Sequence, residues 1–341
     1  MEELLNHLVD GLPLPALLLI IAITLFTLSK GADLLVDEAV ALSIQWGVSK
    51  MLIGATIVSL GTTLPEAAVS VLAAMTGRPG LALGNAVGSI ICDTGLILGI
   101  ATLMSPLPLT RSIVNRHGWI QLAAGFLLVL ACIPYGSLPT IFTEGGHLPQ
   151  AVGFVFLGLL VAYIWLSIRW AKSKEPTAAL DAMGPKNDKS STIMLFLKLI
   201  FAVTLVVLSS RILIPTVQEF ATQLNIPQSI IAATLVAFGT SLPELVTAIT
   251  AVRKGHGELA VGNIIGADIL NVLFVAGAAA SVTTAGLQAP AHFFRMLFPA
   301  MLGILLVFRI GVFVSGDKLK RPIGAILLGV YILVTVLSYV R

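Results

Sequence analysis

Charge is what this chain has least of. Of its 341 residues, 11% are charged and 57% are hydrophobic, whereas a soluble domain carries about 25% charged residues. So little charge cannot cover a soluble enzyme or grip a nucleic acid, and so much apolar surface excludes a disordered chain. Cysteine is scarce as well. Cys92 and Cys132 both stand in apolar stretches, which argues for small buried hydrophobes and against a disulfide framework. The five histidines (His7, His117, His147, His256 and His292) are scattered without ligand spacing. The N-terminus lacks a basic segment and carries Glu2, Glu3 and Asp10 instead, so the first apolar run reads as a membrane span and not as a signal peptide. No HExxH, Ser/His or paired-Asp signature lies in the apolar segments, so neither an enzyme nor a bound cofactor is expected.

What the chain does have is long, continuous apolar sequence, as in Leu14–Leu28 and Ala151–Ile168. Barrel strands alternate apolar and polar residues, and these runs do not. The expected fold class is an all-α polytopic membrane protein. With about 20 residues to a crossing, ten transmembrane helices are expected, near 13–41, 51–76, 81–104, 118–134, 149–169, 192–221, 228–252, 258–281, 290–309 and 322–340. A polar stretch over 172–190, rich in Lys, Pro, Asp and Ser, reads as a linker. It is too short for a regulatory Ca²⁺-binding domain and has no EF-hand pattern.

Ten spans divide the loops into two sets. One set, which includes Lys50, Arg111, Lys254 and Lys320, holds 14 of the 20 basic residues; the other holds Arg78 and Arg341. The excess marks the cytoplasmic side. The linker is then expected in the cytoplasm and both termini outside, in a plasma or inner membrane.

The chain also repeats itself at an offset of 178. Residues 54–93 read GATIVSLGTTLPEAAVSVLAAMTGRPGLALGNAVGSIICD, and residues 232–271 read AATLVAFGTSLPELVTAITAVRKGHGELAVGNIIGADILN. Positions 55–93 carry 16 identities out of 39 without a gap, including G-T-[TS]-L-P-E and G-N-x-x-G. The expected organisation is a five-helix repeat over 1–171, the linker, and a second five-helix repeat over 191–341. An odd number of spans turns the second copy upside down, the arrangement of many secondary transporters.

Inside the repeat, Glu66 and Glu244 stand near the middle of spans, where an ionisable group marks function. Gly61 and Pro65, like Gly239 and Pro243, interrupt the helical ladder beside them. Freed carbonyls and the hydroxyls of Thr62, Thr63, Thr240 and Ser241 then accompany the carboxylates, and oxygen ligands of this kind suit hard cations such as Ca²⁺ and Na⁺. Ser89 and Asp93 share a face of span 3, and Asn271 answers Asp93 in span 8. The role of Asp268, which aligns with Ile90, stays open between structural and functional. Gly84, Gly88, Gly262 and Gly266 are expected to serve close packing. Lys30, Asp33, Asp37 and Glu38 are expected to pair at helix spacing or to reach toward the cytoplasm, and Arg211, which aligns with Asp33, suggests a pair across the halves.

On these residues the chain resembles the Ca²⁺/cation antiporter superfamily, in its sodium/calcium exchanger branch. The resemblance rests on GTTLPE with GNAVGSIICD and GTSLPE with GNIIGADILN, and the five-plus-five plan extends it over the chain. It implies exchange of about three Na⁺ for one Ca²⁺ by alternating access, with Glu66 and Glu244 as central Ca²⁺ ligands shared with Na⁺. It further implies oxygens from Thr62, Thr63, Thr240 and Ser241, backbone carbonyls near Ser59 and Ala237, and flanking ligands in Ser89, Asp93 and Asn271. Many members have Ser where this chain has Ala267, which removes one flanking hydroxyl. A Ca²⁺/H⁺ or K⁺-dependent exchanger, with H⁺ or K⁺ as a further substrate, and a passive cation channel are the rival readings. The expected partners are the transported ions and the lipid bilayer, with no nucleic acid, and the expected state is a monomer.

Overall fold

The computed structural model describes residues 9–172, 192–224 and 239–339. Ala237, most of the linker, the first part of the seventh expected span and both extreme termini lie outside the described residues. The described chain is almost wholly helical. Helix α1 spans Leu14–Trp46, α2 Lys50–Thr62, α3 Leu64–Met75 and α4 Pro79–Met104. Strand β1 (Leu107–Pro108) leads to α5 (Arg111–Cys132), and β2 (Gly146–Leu148) to α6 (Gln150–Lys172). After the linker come α7 (Thr192–Gln223), α8 (Leu242–Arg253) and α9 (Gly257–Ser281). Strand β3 (Leu287–Ala289), α10 (Phe293–Ser315), β4 (Lys318–Leu319) and α11 (Arg321–Tyr339) complete the fold.

Among the described residues, eight helices are long and apolar enough to cross a membrane, and nine if α2 and α3 count as one bent crossing. Hydropathy marks where a helix leaves the membrane, whereas backbone hydrogen bonding carries it further. Thus α1 runs past its expected end at residue 41 to Trp46, where Gly47 closes it with φ +64. A residue with a Cβ adopts that left-handed conformation only at a cost, which makes glycine the usual C-terminal stop. Likewise α5 begins at Arg111, seven residues before its expected start.

Burial sorts the helices into a centre and a rim. Helix α9 is buried nearly end to end and α4 over most of its length, while α1, α6, α7 and α11 expose much of their apolar surface, as lipid-facing helices do. The centre is held by backbone contact. A Cβ on Gly262 would lie 2.1 Å from the Met51 carbonyl oxygen, and one on Gly266 2.5 Å from that of Ala55. Only glycine lets α9 press this closely against α2. The packing role expected for four glycines therefore holds for these two. Gly84 would meet only Phe293, at 3.7 Å, and Gly88 no described atom within 4 Å, because this face of α4 is partly exposed.

Helices α1 and α7 lie antiparallel along their whole length. Gln223 donates to the Leu12 carbonyl at 2.9 Å, Thr27 and Ser209 share a hydrogen bond of 2.8 Å, and Thr192 donates to Gln45 at 3.3 Å. Two short antiparallel ladders, β1 with β4 and β2 with β3, tie loops together. Gly257 packs on Leu107 and Pro108, and Lys50 pairs with Glu258 at 3.2 Å, so the β1–β4 ladder shares one end of the bundle with the α8–α9 turn. The β2–β3 ladder lies against the start of α4 through Gly80 and Gln288.

The acids of α1 pair between helices and not at helix spacing. Lys254 holds Asp37 at 2.8 Å and Asp33 at 3.4 Å, Lys198 of α7 holds Glu38 at 3.1 Å, and Lys30 sits 5.8 Å from the Phe26 ring centre. The pair suggested between Asp33 and Arg211 does not form. Arg211 donates instead to the Pro65 carbonyl at 3.4 Å. The antiparallel pairing explains this, since it sets Asp33 level with about residue 203 and Arg211 about two turns further along α7.

Candidate cation site

The chemistry begins at two helix breaks. Pro65 has no N–H to give the Gly61 carbonyl, so the ladder fails there. Thr63 falls between α2 and α3, which meet at a bend of 42°. Proline suits the first turn of a new helix, and Glu66 then lies in that same turn. The second copy repeats the arrangement, with Pro243 and Glu244 in the first turn of α8. The mid-span glutamates of the sequence are thus helix N-terminal glutamates, and the positive end of each helix dipole favours their charge. Both carboxylates are 1% exposed.

The remaining polar groups come from α4 and α9. Each widens into a π-helical turn at its key residue, Cys92–Ile97 beginning beside Asp93 and Asn271–Ala276 beginning on Asn271. Such turns leave ladder groups unpaired and concentrate at functional sites. A further π-turn, Gly54–Val58 in α2, leaves the Ala55 carbonyl to accept from Tyr163 at 3.0 Å.

Cross-half hydrogen bonds lock the breaks to these helices. Thr62 donates to Asn263 Oδ1 at 3.5 Å, and Thr240 donates to Asn85 Oδ1 at 3.2 Å. The offset of 178 relates these two contacts to each other. Asn85 also donates to the Glu66 carbonyl at 3.3 Å and to Ser70 Oγ at 2.9 Å. In the second copy Ala248 replaces Ser70, and Asn263 Nδ2 is left without a partner.

Between these supports lies an unusual number of bare oxygens. The hydroxyls of Thr63, Ser89, Ser241 and Thr247, Glu66 Oε2, Asp93 Oδ1, both oxygens of Glu244, and Asn271 Oδ1 are buried without a hydrogen-bond partner. Buried polar groups are nearly always paired, which leaves these oxygens available to an ion or to water. The groups are mutual neighbours. Glu66 lies within electrostatic reach of Glu244, Asp93 and Arg211, and Asp93 within reach of Glu244. Ser241 faces Asp93, and Thr62 and Thr63 face Glu244.

Of the other residues expected here, Ser59 is fully buried and donates to the Thr56 carbonyl at 3.3 Å, with its hydroxyl against Gly266. Asp268 lies one turn before Asn271 on α9. It accepts from Thr94 and from Gln121 Nε2 at 2.6 Å. Sequence reasoning missed Asn85, Asn263 and Thr247. The aligned Asn of the two G-N-x-x-G motifs was the available signal for the first two; Thr247, opposite Val69, had none. No three His, Cys, Asp or Glu side chains converge as metal ligands among the described residues. The oxygens are divided among carboxylates, hydroxyls and an amide, a donor set that suits hard cations such as Ca²⁺ and Na⁺.

Fold and site together define a mostly helical membrane protein with an oxygen-lined interior. Residues 16–169 and 194–340 match the family described as sodium/calcium exchanger protein. The sodium/calcium exchanger MaX1 of Methanosarcina acetivorans is 30% identical, covering 94% of this chain and 98% of its own, and the inner membrane protein YrbG of Escherichia coli is 31% identical, covering 94% and 96%. Among solved structures, the sodium-calcium exchanger NCX_Mj soaked with 10 mM Na⁺ and zero Ca²⁺ superposes with a TM-score of 0.78 at 26% identity, over 96% of this chain and all of that one. The chain belongs to the sodium/calcium exchanger family.

Proposed function

We propose that this protein exchanges Na⁺ for Ca²⁺ across a cell membrane by alternating access, through ten spans arranged as two inverted five-helix repeats. Glu66 and Glu244 hold Ca²⁺ and take part in Na⁺ binding. Thr62, Thr63, Thr240, Ser241 and the carbonyls near Ser59 and Ala237 supply further oxygens, and Ser89, Asp93 and Asn271 flank the centre. The observation that carries this reading is the meeting of two first-turn glutamates, one from each half, amid buried oxygens that have no protein partner. A cargo ion is taken up and released, which fits a cage of mixed oxygens better than a tight metal cluster.

Three features support the inverted repeat: the antiparallel course of α1 and α7, the exchange of hydrogen bonds between Thr62–Asn263 and Thr240–Asn85, and the two strand ladders. In the proposed cycle, α1 and α7 move as a pair over a centre formed by α2, α3, α4, α8 and α9. Na⁺ running down its gradient drives Ca²⁺ out. The excess of Lys and Arg puts the linker in the cytoplasm and both termini outside.

The test is ⁴⁵Ca²⁺ uptake into proteoliposomes under imposed Na⁺, H⁺ and K⁺ gradients in turn. Uptake driven by Na⁺ alone is the expected result. Uptake that follows only the H⁺ gradient, or that ignores every counter-ion, overturns the reading in favour of a proton exchanger or a channel.

A further inference from the structure

Arg211 stands inside α7, half-buried, on a helix apolar enough to cross a membrane. A guanidinium keeps its charge at any working pH, and a charge within a span is costly unless something offsets it. The other base of α7, Lys198, has Glu38 at 3.1 Å. Arg211 has no carboxylate at ion-pair distance among the described residues. Of its several N–H donors, Nη2 alone finds an acceptor among the described residues, the Pro65 carbonyl at 3.4 Å. That carbonyl lies in the first turn of α3, where the helical ladder also claims it. Hydrogen bonding therefore does not account for the arginine, but its place does. The Pro65 carbonyl belongs to the peptide that joins Pro65 to Glu66, so the guanidinium lies against the backbone of a central glutamate and within electrostatic reach of its carboxylate. At the offset of 178, Arg211 and Pro65 correspond to Asp33 and Pro243. Asp33 pairs with Lys254 at 3.4 Å and brings no positive charge to Glu244. One central glutamate thus has a tethered cation beside it, and the equivalent position supplies none to the other.

A tethered cation can do the work of a bound one. We propose that Arg211 takes the place of one transported Na⁺ at Glu66, so that two Na⁺ exchange for each Ca²⁺ and the exchange moves no net charge. This is one Na⁺ fewer than the resemblance implies. Two Na⁺ and one Ca²⁺ carry the same charge, so both loaded states have the same net charge whichever of the surrounding acids are ionised. A third Na⁺ would set a further positive charge beside a guanidinium that cannot shed its own, where low dielectric makes like charges repel strongly.

This inference rests on the reading of the protein as a Na⁺/Ca²⁺ exchanger. The test uses purified full-length protein in liposomes, with equal K⁺ on both sides and valinomycin to hold the membrane potential at zero. ⁴⁵Ca²⁺ flux is followed at a fixed Na⁺ gradient while the Ca²⁺ gradient is varied until net flux stops. A tenfold Na⁺ gradient balances about a hundredfold Ca²⁺ gradient at two Na⁺ per Ca²⁺, and about a thousandfold at three. The wild type is expected to balance at about a hundredfold and to hold that point when a potential is imposed; balance at about a thousandfold overturns the proposal. Arg211→Gln is expected to move the balance toward about a thousandfold and to make it sensitive to potential. Arg211→Lys, which keeps the charge, is expected to keep the wild-type balance. A folded, active Arg211→Gln that balances where the wild type does also overturns the proposal. If that variant does not transport, the wild-type measurement decides. Absence of Na⁺-driven flux in the wild type would instead sink the exchange reading itself, a distinguishable result.

Discussion

Thr240 donates a hydrogen bond to Asn85 Oδ1 at 3.2 Å, so the break before α8 in one half is tied to the helix that carries Asp93 in the other. Its mate, Thr62 to Asn263, is longer at 3.5 Å, and Asn263 Nδ2 has no partner while Asn85 Nδ2 has two. The two asparagines are therefore unequal. Asn85→Leu is expected to lower stability in detergent by about 1–2 kcal/mol, and Asn263→Leu by less. Thermal midpoints of the two variants check this, and an equal or reversed order contradicts it.

Glu66→Gln and Glu244→Gln keep the shape of each side chain and remove its charge. Each is expected to lower Na⁺-driven Ca²⁺ uptake at least about a hundredfold, since removing one charged partner from a buried cation site costs about 3–5 kcal/mol. The folded state should survive, because neither Glu66 Oε2 nor either oxygen of Glu244 is used for internal hydrogen bonding. Wild-type exchange in either variant would remove the substituted residue from the site.

Protons compete with cations for a cluster of adjacent carboxylates. Ca²⁺ uptake at a fixed Na⁺ gradient is expected to fall as pH is lowered from about 8 to about 5.5. Raising Ca²⁺ should restore part of the rate at the acid end. A flat profile over that range contradicts the competition.

His256 gives a separate pH dependence, at the end of the bundle where α8 turns into α9. Burial first, and then the Lys50 ammonium, hold its pKa below the ordinary histidine value. The neutral ring meets Lys50 Nζ through Nδ1 at 3.1 Å. The unfolded chain therefore binds the proton more readily than the folded one. This contribution to stability is full above about pH 6.5 and is lost as pH falls from there through the folded value. The ring is partly solvated, so the effect is expected to stay under about 1 kcal/mol. Thermal melts of wild type and His256→Gln across pH 5 to 8 should diverge only on the acid side.

Gly262→Ala places a Cβ 2.1 Å from the Met51 carbonyl oxygen, a backbone atom that cannot step aside. Helix α9 must then move off α2, with an expected loss of at least about 1–3 kcal/mol. Gly329→Ala on α11, where nothing lies within 4 Å, should be neutral or slightly stabilising. Folded yield by size-exclusion chromatography separates the two, and equal yields would refute the close approach.

The paired glutamates were legible in the sequence because the motif occurs twice, and proline beside glycine announces a broken helix wherever it stands. Their place in the first turn of a new helix is invisible to hydropathy, which runs across the break, although a proline followed by an acid is the usual sign of that turn. Asp268 was ambiguous for a physical reason. Its partners Thr94 and Gln121 come from two other helices, and no repeat links them. The pair suggested between Asp33 and Arg211 does not form because alignment in a repeat shows which residues are equivalent, not which touch. In an antiparallel pair of helices equivalent residues meet only near the crossing, and Asp33 and Arg211 lie beyond it.

The glycine contact between α2 and α9 bears on how the protein is made. A ribosome delivers the first half before the second, so for a time α2, α3 and α4 occupy the membrane without α9. During that interval Glu66 and Asp93 lack the second half's oxygens beside them. Until α9 slots against Met51 and Ala55, the early half carries acids without their later neighbours, a costly arrangement inside a membrane.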